Sequence, residues 1–533
     1  MNHKPHNSSI PVLDLFAGPG GLAEGFSAFH TSDGNPFKVC LSIEKDQYAH
    51  STLKLRSFFR QFPCGQAPDE YYAYLRKGFT RMELFTRYPS EAGAAGREAW
   101  RAELGSPGLP SEEIDTRIET ALNGSDQWVL IGGPPCQAYS TVGRSRNKGK
   151  ADYVPEQDDR HFLYREYLRI IARHWPPVFV MENVKGLLSA RVNGSRIFDH
   201  ILEDLHEPHA AVTGIDHGTR SYRYRIHSFV KASYYPVDKP RTGFSPSDYL
   251  IMSENYGIPQ TRHRVILIGI REDAGDISPG ILTQQKHVDT GTVLDDLPKL
   301  RSGLSREVDN HESWEERIRE IVDDGLFDSI YHERDKGVWD RINTALSGLH
   351  ETRKNGRGSE FVPGAASSGY REDWYSDPRL GGICNHITKS HMPGDLHRYL
   401  FASCFAAEHG RSPVLPEFPK KLWPQHKNAH KAGRSGNFSD RFRVQPASKP
   451  STTIMSHLSK DGHYYIHYDP AQCRSLTVRE AARLQTFPDN YFFEGMRTQQ
   501  YIQVGNAVPP LLALQLAGIV YDLLHKSESQ WTG

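Results

Sequence analysis

The feature that most constrains the fold of this chain is a short apolar segment followed at once by a glycine-rich turn and a helix. Residues 12–16 have the composition of a buried strand, residues 17–21 form the turn, and residues 22–29 begin a helix. A second apolar segment, residues 39–43, ends at Glu44. Strands that alternate with helices are typical of an α/β domain. We therefore predict an α/β fold whose ligand site lies where the strands end.

The turn contains small residues that let a backbone approach a ligand closely. Gly18, Gly20 and Ala23 satisfy a loose dinucleotide-binding pattern, and Glu44 follows at a distance at which an acid can bind ribose hydroxyls. Turns of this kind also hold adenosyl ligands, or merely join a strand to a helix. On these residues alone the turn indicates a nucleoside site and leaves the ligand open.

A further apolar strand, residues 128–131, runs into a proline-containing turn that presents Cys136. Cysteine packs as a small hydrophobic residue when buried and reacts only as the thiolate, so a loop position after a strand favours reactivity. The six cysteines are scattered and form no C-x-x-C pair, which argues against a disulfide scaffold and a structural zinc site. We interpret Cys136 as a free thiol and predict no metal site.

Two more strands carry chemically interesting neighbours. Residues 177–181 lead into Glu182, and residues 265–270 are preceded by Arg262 and Arg264. An acid after a strand is more often a helix cap or a surface charge, and the arginines alone are an ordinary strand-flanking pair. Loops at the carboxyl ends of strands gather at one edge of an open sheet, so Cys136 and Glu182 together favour a site there.

Length and charge bound the remaining possibilities. A chain of 533 residues is too long for one compact core and suggests two or three domains. Its 64 basic and 64 acidic side chains cancel, so the total charge gives no sign of a nucleic-acid partner. The distribution is uneven, however. Two basic runs are candidates for phosphate contact, with a solvated loop as the alternative: Arg144, Arg146 and Lys148 in the first, and Lys427, Lys431 and Arg434 in the second.

The amino-terminal residues MNHKPHNSS lack the apolar core of a secretory signal. We also expect no stretch of membrane-spanning length, which is about 18 apolar residues. The sequence therefore predicts a cytoplasmic protein without a membrane partner.

Six short motifs resemble those of bacterial DNA cytosine C5 methyltransferases and occur in that family's order. They are DLFAGPGG at residues 14–21, GPPCQ at 133–137, MENV at 181–184, QTRHR at 260–264, RSLTVREAARLQTFPD at 474–489 and QVGNAVPP at 503–510. Each motif is short, but the probability that all six occur in this order by chance is negligible.

The resemblance implies a Rossmann-like α/β sheet that binds S-adenosyl-L-methionine, with a second, irregular target-recognition domain. The implied division is a catalytic domain at residues 1–271 with an insertion at about 51–127, a target-recognition domain at 272–473, and a return to the catalytic domain at 474–533. The implied reaction transfers a methyl group to C5 of a flipped-out cytosine in a specific double-stranded DNA sequence. We expect a monomer, and a cognate restriction endonuclease that acts separately is an implied partner.

The family's residue roles carry over to matching positions. Cys136 adds to C6 of the base, Glu182 donates a proton or hydrogen bond at N3, and Arg262 and Arg264 hold the target nucleotide and keep positive charge near the thiolate. The residues implied to hold the cofactor are Asp14, Phe16, Ala17, Gly18, Gly20, Gly21, Glu44, Pro135, Asn506, Ala507 and Val508.

Two features depart from the family pattern. No acidic residue that would contact the adenine can be assigned at the end of a third strand in the insertion, and Lys45 stands where an aromatic residue is common. Three alternative functions compete with this one. A tRNA cytosine-5 methyltransferase of the same family is disfavoured by the long middle region. An NAD-type oxidoreductase leaves PPCQ and ENV unexplained, and a non-enzymatic DNA-binding relative would be expected to have lost the thiol or the carboxylate.

Overall fold

The computed structural model describes residues 9–135, 160–192, 194–212, 221–235, 245–323, 335–364, 369–425 and 439–531. The candidate nucleophile and both basic runs lie outside the described residues: Cys136, Arg144, Arg146, Lys148, Lys427, Lys431 and Arg434.

The strands are β1 Ile10–Leu15, β2 Phe37–Glu44, β3 Ala99–Arg101, β4 Val129–Gly132, β5 Val178–Val184, β6 Arg191–Val192, β7 Ser195–Arg196, β8 Tyr224–Ser228, β9 Tyr234–Tyr235, β10 Leu250–Met252, β11 Gln260–Thr261, β12 His263–Arg271, β13 Gly303–Leu304, β14 Gly358–Pro363, β15 Gly382–Ile387, β16 Ser390–His391 and β17 Ser451–Thr452.

The α-helices are α1 Gly21–Ser27, α2 Gln47–Arg60, α3 Asp69–Leu75, α4 Arg81–Arg87, α5 Pro89–Glu98, α6 Ser111–Leu122, α7 Arg160–His174, α8 Ile197–His206, α9 Pro208–Ala211, α10 Thr290–Leu294, α11 His311–Asp323, α12 Lys336–Gly348, α13 Glu372–Tyr375, α14 Pro393–His409, α15 Val478–Leu484, α16 Arg497–Asn506 and α17 Pro510–Trp531.

A central sheet with the order β3-β2-β1-β4-β5-β12-β8-β9 organises the molecule, and β10 pairs with β12. Strands β1 to β5 are parallel, whereas β12 is antiparallel to both β5 and β8. The α/β prediction is confirmed, and the sheet is a mixed one. Because β12 runs in the opposite direction, its first residues lie at the same edge as the last residues of β1 to β5.

The sheet is covered on both faces, which explains why its central strands are almost continuously apolar. On one face Leu13 and Leu15 pack with apolar residues of α6, α7 and α8. On the other face Val12 and Ile131 pack with α1 and α17. Burial on both faces fixes the positions of the strand ends, where the sequence places its polar candidates.

The carboxyl-terminal segment returns to the first helix of the chain. A Cβ at Gly25 of α1 would lie 2.4 Å from Ala513 Cβ and 2.5 Å from Pro510 O at the start of α17. A Cβ at Gly21 would lie 2.2 Å from Val508 O. Glycines at these two positions therefore let the end of the chain lie directly against the turn between β1 and α1.

The same return contains an apolar segment that the sequence analysis missed. Among the described residues, Arg497–Lys526 is long and apolar enough to cross a membrane by length and composition alone. Within its most apolar stretch of 18 residues, 67% is buried inside the protein. Leu512, Leu516 and Val520 have no exposed surface. From Val508 onward its apolar side chains belong to the core beneath the sheet.

The insertion at about 51–127 contributes both to the sheet and to a separate apolar cluster. Its strand β3 extends the sheet beyond β2. Tyr71, Tyr72 and Leu75 of α3 pack with Leu380 and Phe492, which come from distant parts of the chain. The insertion therefore joins the sheet to the middle region and to the carboxyl-terminal motifs.

The middle region has its own apolar core, built around α11, α12 and α14. Its last part, however, packs with the carboxyl-terminal motifs, because Ile454 shares a cluster with Leu484 and Tyr501. Strand β17 also pairs with β11, two residues before β12. The domain limits at 271/272 and 473/474 stay a prediction.

Replacing Gly25 by Ala tests the packing of α17 on α1. We expect the free energy of unfolding to fall by about 1–3 kcal/mol, since the new methyl group has no space and the helices must separate. The matched control is Gly93→Ala in α5, where a Cβ meets only the end of Arg97 at 3.5 Å. That variant should be unchanged or stabilised by up to about 1 kcal/mol. Denaturant unfolding of both variants gives the comparison, and equal effects would contradict it.

Candidate active site

The glycine-rich turn after β1 has the backbone shape of a ligand-binding turn. Phe16, Gly18 and Gly20 all have positive φ angles, of 57°, 57° and 96°. Such values suit glycine and are uncommon for phenylalanine, so the surrounding structure must hold Phe16 in place. The turn is closed by its own amides, because Ala17 N–H donates to Ile43 O at 3.1 Å and Gly20 N–H donates to Ala17 O at 2.9 Å.

Glu44 at the end of β2 is fixed by the turn beside it. The Gly18 amide donates to Glu44 Oε2 at 2.8 Å, and the Asp46 amide donates to Glu44 Oε1 at 2.7 Å. Burial raises the pKa of Glu44, while these two amides lower it in part. The predicted cofactor residues Gly18 and Glu44 are therefore in direct contact, and the carboxylate is oriented before any ligand arrives.

Asp14 lies in β1 beneath the turn and is 1% exposed. Among the described residues, neither of its carboxyl oxygens has a hydrogen-bond partner of good geometry. Burial raises the pKa of Asp14 from 3.8 to about 8, and the nearby Arg60 guanidinium and Ala23 amide offset only part of that effect. Burying a carboxyl group without hydrogen-bond partners costs free energy of folding, and such groups are rare in proteins unless they have a function.

The carboxyl-terminal motif forms a second wall of the same site. Val508 contacts Gly21, as described above, and Ala507 and Val508 are both buried. Asn506, the last residue of α16, is exposed. The structure therefore brings together the two ends of the chain, as the predicted set of cofactor residues requires.

Glu182 and Arg264 form an ion pair at the centre of the edge. Arg264 Nε lies 2.8 Å from Glu182 Oε1, and both side chains are about one-seventh exposed, at 15% and 14%. Glu182 lies within β5, opposite Ile266, and does not follow the strand as the sequence suggested. The predicted strand ended too early because the polar residues Glu182 and Asn183 interrupt its apolar run.

The loop that leads to Cys136 packs directly on this pair. A Cβ at Gly133 would lie 3.0 Å from Glu182 Oε2, and Asn183 Nδ2 donates to Pro134 O at 3.2 Å. Pro135, the last described residue of this loop, is half-buried. The backbone that precedes Cys136 is thus held beside Glu182.

Arg262 has a different environment from Arg264. It is 1% exposed and donates to the main-chain oxygens of Ile454 at 2.8 Å and Gly505 at 3.2 Å. Burial and the positive charge of Arg264 lower the pKa of Arg262. Its guanidinium joins the middle region to the end of α16, and it therefore holds the walls of the site together.

The structure also indicates a residue that the sequence analysis left unassigned. Glu103 follows the short strand β3, at the same edge as Glu44, and its Oε1 lies 3.0 Å from Lys45 Nζ. Both side chains are more than half exposed. A strand of three residues, AWR, is too short to recognise from composition, and for that reason the acid after it was missed.

The unpartnered carboxyl group of Asp14 gives a test by pH. Between about pH 4 and pH 8 the folded protein retains a proton that the unfolded chain has released, so this group lowers stability as the pH rises. Asp14→Asn should therefore gain stability relative to the parent protein by about 1 kcal/mol per pH unit from pH 5 to pH 7. The measurement is chemical unfolding at several pH values. For Asp126→Asn, at an exposed position, the stability relative to the parent protein should not change with pH. If it does not change for Asp14→Asn either, the raised pKa of Asp14 is refuted.

Comparisons with known proteins agree with this geometry. The family model described as C-5 cytosine-specific DNA methylase matches residues 75–209 and 241–521, which is more than half of the chain. The type II methyltransferase M.Bpa9945I of Bacillus paralicheniformis is 32% identical over 96% of this chain and 99% of that protein. M.AgeI of Thalassovita gelatinovora, another type II methyltransferase, is 27% identical over 95% and 98%. The DNA (cytosine-5-)-methyltransferase M.ApeKI of Aeropyrum pernix is 26% identical over 76% and 83%. The match of this family model over more than half of the chain shows that the chain belongs to the C-5 cytosine-specific DNA methylases, and it is a DNA (cytosine-5-)-methyltransferase.

Proposed function

We propose that the protein transfers a methyl group from S-adenosyl-L-methionine to C5 of a flipped-out cytosine in a specific double-stranded DNA sequence. The observation that carries the proposal is the arrangement of the sheet edge. The glycine turn with Glu44 lies on one side, and the Glu182–Arg264 pair lies beside the loop that leads to Cys136. One side suits a nucleoside, and the other suits acid-assisted addition to a base.

The residues at the turn fit S-adenosyl-L-methionine, a nucleoside with a positively charged sulfonium and an ammonium group. Glu44 is pre-oriented to accept hydrogen bonds from ribose hydroxyls. The buried carboxyl group of Asp14 has no hydrogen-bond partner among the described residues. It could accept a hydrogen bond from a cationic ligand, or from a water molecule bound to that ligand. When bound, this cofactor supplies an electrophilic methyl group. The residues that would hold it are Asp14, Phe16, Ala17, Gly18, Gly20, Gly21, Glu44, Pro135, Asn506, Ala507 and Val508.

Glu103 and Lys45 extend this proposal to the adenine. Both side chains stand beside Glu44 at the end of the parallel strands, and both are more than half exposed. The carboxylate of Glu103 can accept a hydrogen bond from the adenine amino group once Lys45 moves aside. Glu103 would then fill the adenine-contacting role that the sequence left open.

The chemistry at the base needs a nucleophile and an acid. Cytosine C5 is a poor nucleophile until a thiolate adds at C6, which forms an S–C6 bond and moves an electron pair to C5. We propose that Cys136 is this thiolate and that Glu182 donates a proton to N3, so that charge does not accumulate on the ring. C5 then takes the methyl group. Loss of the C5 proton to a base restores the ring double bond as the S–C6 bond breaks and releases Cys136, and N3 returns its proton to Glu182.

The ion pair assigns separate tasks to the two oxygens of Glu182. Oε1 is held by Arg264 at 2.8 Å, whereas Oε2 faces the Gly133 backbone in the loop that leads to Cys136. Oε2 is therefore the oxygen placed to meet a base that enters beside this loop. Arg264 fixes the orientation of the carboxyl group. Its charge would also stabilise a thiolate that formed nearby, since positive charge lowers a cysteine pKa.

Replacing Glu182 by Gln should lower the single-turnover rate of methylation by about 10²-fold or more, because the amide keeps the shape but cannot donate a carboxylic proton. Binding of DNA and of S-adenosyl-L-methionine should change little. The control is Glu254→Gln, since Glu254 Oε1 lies 2.8 Å from His263 Nε2 near the same edge, and Glu254 Oε2 has no hydrogen-bond partner among the described residues. If both variants keep the parent rate, Glu182 has only a structural role.

Replacing Cys136 by Ser should abolish methylation and leave DNA binding largely intact, because a hydroxyl is far less ionised than a thiol at neutral pH. Cys64→Ser provides the control, since Cys64 is an exposed cysteine distant in sequence from every motif. Incorporation of labelled methyl groups into duplex DNA measures the effect. Transfer by Cys136→Ser at a rate near that of the parent protein would rule out the covalent mechanism.

The same proposal covers DNA recognition, the quaternary state and the location of the protein. Residues 272–473 would read the DNA sequence, with phosphate contacts from the basic runs Arg144, Arg146, Lys148, Lys427, Lys431 and Arg434. Arg262 would support the target nucleotide indirectly, through Ile454 and Gly505. We propose a monomer that acts in the cytoplasm beside a separate restriction endonuclease. Bisulfite sequencing of DNA from cells that express the protein tests the substrate and gives the recognition site.

A further inference from the structure

We infer that Tyr491 is a positioning residue for the cofactor turn, although it is far from that turn in sequence. The inference rests on the proposed use of S-adenosyl-L-methionine. It adds a residue outside the set of Asp14, Glu44 and the other proposed cofactor contacts. Tyr491 touches the turn from outside and sets its shape.

The contact is made by the tyrosine hydroxyl. Tyr491 has no exposed surface, and its hydroxyl donates a hydrogen bond to the main-chain oxygen of Pro19 in the middle of the turn. A Cβ at Gly20 would lie 3.1 Å from the same hydroxyl and 2.8 Å from Leu53 Cδ1. The turn therefore fits between Tyr491 and Leu53, and this fit is possible because residue 20 is glycine with a φ of 96°.

The ring of Tyr491 is held so that the hydroxyl has little freedom. It packs against Phe487 and Phe493, with ring centroids 4.7 and 5.4 Å apart. The Arg56 guanidinium lies over the ring, 4.9 Å from its centroid. Arg56 Nε also donates to Glu24 Oε2 at 2.9 Å in α1, which is the helix that begins at the turn. Arg56 thus connects Tyr491 with α1, the helix that begins at the turn.

The segment that carries Tyr491 is anchored in turn to the insertion and the middle region. Asn490 Oδ1 accepts from Arg56 Nη1 at 3.0 Å, and Asn490 Nδ2 donates to Asp377 Oδ2 at 2.7 Å. The Tyr72 hydroxyl of α3 donates to the same Asp377 oxygen at 2.8 Å. These bonds fix Asn490 from two sides. The cofactor turn therefore depends on contacts made by three parts of the chain that do not themselves touch the cofactor.

The main chain of the turn alone would not keep this shape. Its residues at Phe16, Gly18 and Gly20 have positive φ, and Gly20 N to Ala17 O at 2.9 Å is the bond that closes it. The Pro19 carbonyl accepts from Tyr491, and the N–H of the same peptide unit, that of Gly20, donates to Ala17 O, so the tyrosine hydroxyl holds the peptide plane whose N–H closes the turn. Loss of the hydroxyl should thus weaken the preorganisation of the turn and lower cofactor affinity, without altering the groups that carry out the chemistry.

Tyr491→Phe tests the inference because it removes one oxygen atom and keeps the packed ring. We expect binding of S-adenosyl-L-methionine, measured by calorimetry on the full chain without DNA, to weaken about 5- to 10-fold, the effect of one hydrogen bond. The KM for the cofactor should rise by a similar factor, with kcat and DNA affinity within about twofold of the parent values. A value for the cofactor affinity within twofold of the parent protein would overturn the inference.

The control is Tyr501→Phe. Tyr501 is also fully buried, and its hydroxyl donates to a main-chain oxygen, that of Leu476, at 2.8 Å. This variant should lose stability as Tyr491→Phe does but keep its cofactor affinity. If both variants lose affinity equally, the effect is general destabilisation and the inference fails.

A second variant covers the case in which Tyr491→Phe does not fold. Asn490→Ala releases the segment from Arg56 and Asp377 but keeps the hydroxyl, so cofactor affinity should fall in the same direction by a smaller factor. An unchanged affinity for this variant would contradict the anchoring. If the parent protein itself binds no S-adenosyl-L-methionine, the proposed function fails instead, and the two failures are thereby distinguished.

Discussion

The antiparallel direction of β12 is the constraint on which the site depends. If β12 ran parallel to β5, its first residues would lie at the opposite edge of the sheet, far from Glu182. Running antiparallel, it pairs Ile266 with Glu182 and brings Arg264 alongside Val184 at the end of β5. An ion pair between residues that are distant in sequence follows from the direction of one strand. The same reversal brings Arg262 to the carboxyl-terminal segment that closes the site.

Buried charge supplies the rigidity that the turn and the edge require. In the motif that begins at Arg474, three arginines form ion pairs beneath the surface: Arg474 with Glu480 at 2.6 Å, Arg483 with Asp489 at 2.7 Å, and Arg479 with Asp489 at 3.9 Å. Arg474 and Glu480 are each 1% exposed. Removing two charges from water is costly, and breaking such a pair costs more than its net contribution to folding, so the pairs favour one arrangement over its alternatives. This motif is therefore structural. It fixes the frame from which Tyr491 reaches the cofactor turn.

The fold and the centre of the site could be predicted from sequence because they rest on local patterns. Apolar runs marked β1, β2, β4, β5 and β12, with ends wrong by one to three residues. The acids Glu44 and Glu182 each follow an apolar run, and for that reason they were predicted to lie at one edge of the sheet. Glu103 was missed, because β3 contains three residues and carries no periodic signal. The separate environments of Arg262 and Arg264 were also unpredictable, since Arg262 is buried by Ile454 and Gly505, which lie far away in sequence.

The charges at the edge explain why these two arginines belong together. Arg264 is close enough to disfavour the charge of Arg262, and Glu182 is an acid that interacts with both arginines. Burial lowers the pKa of Arg262, but a guanidinium in a protein keeps its proton. The two arginines and Glu182 together carry one net positive charge. Water is largely excluded from this part of the edge. An anion is stabilised there, and a thiolate or a nucleotide phosphate would each meet that need. The described part of the loop that leads to Cys136 packs against Glu182 at Gly133, so a thiolate at the proposed nucleophile would offset part of the cost of desolvating Arg262.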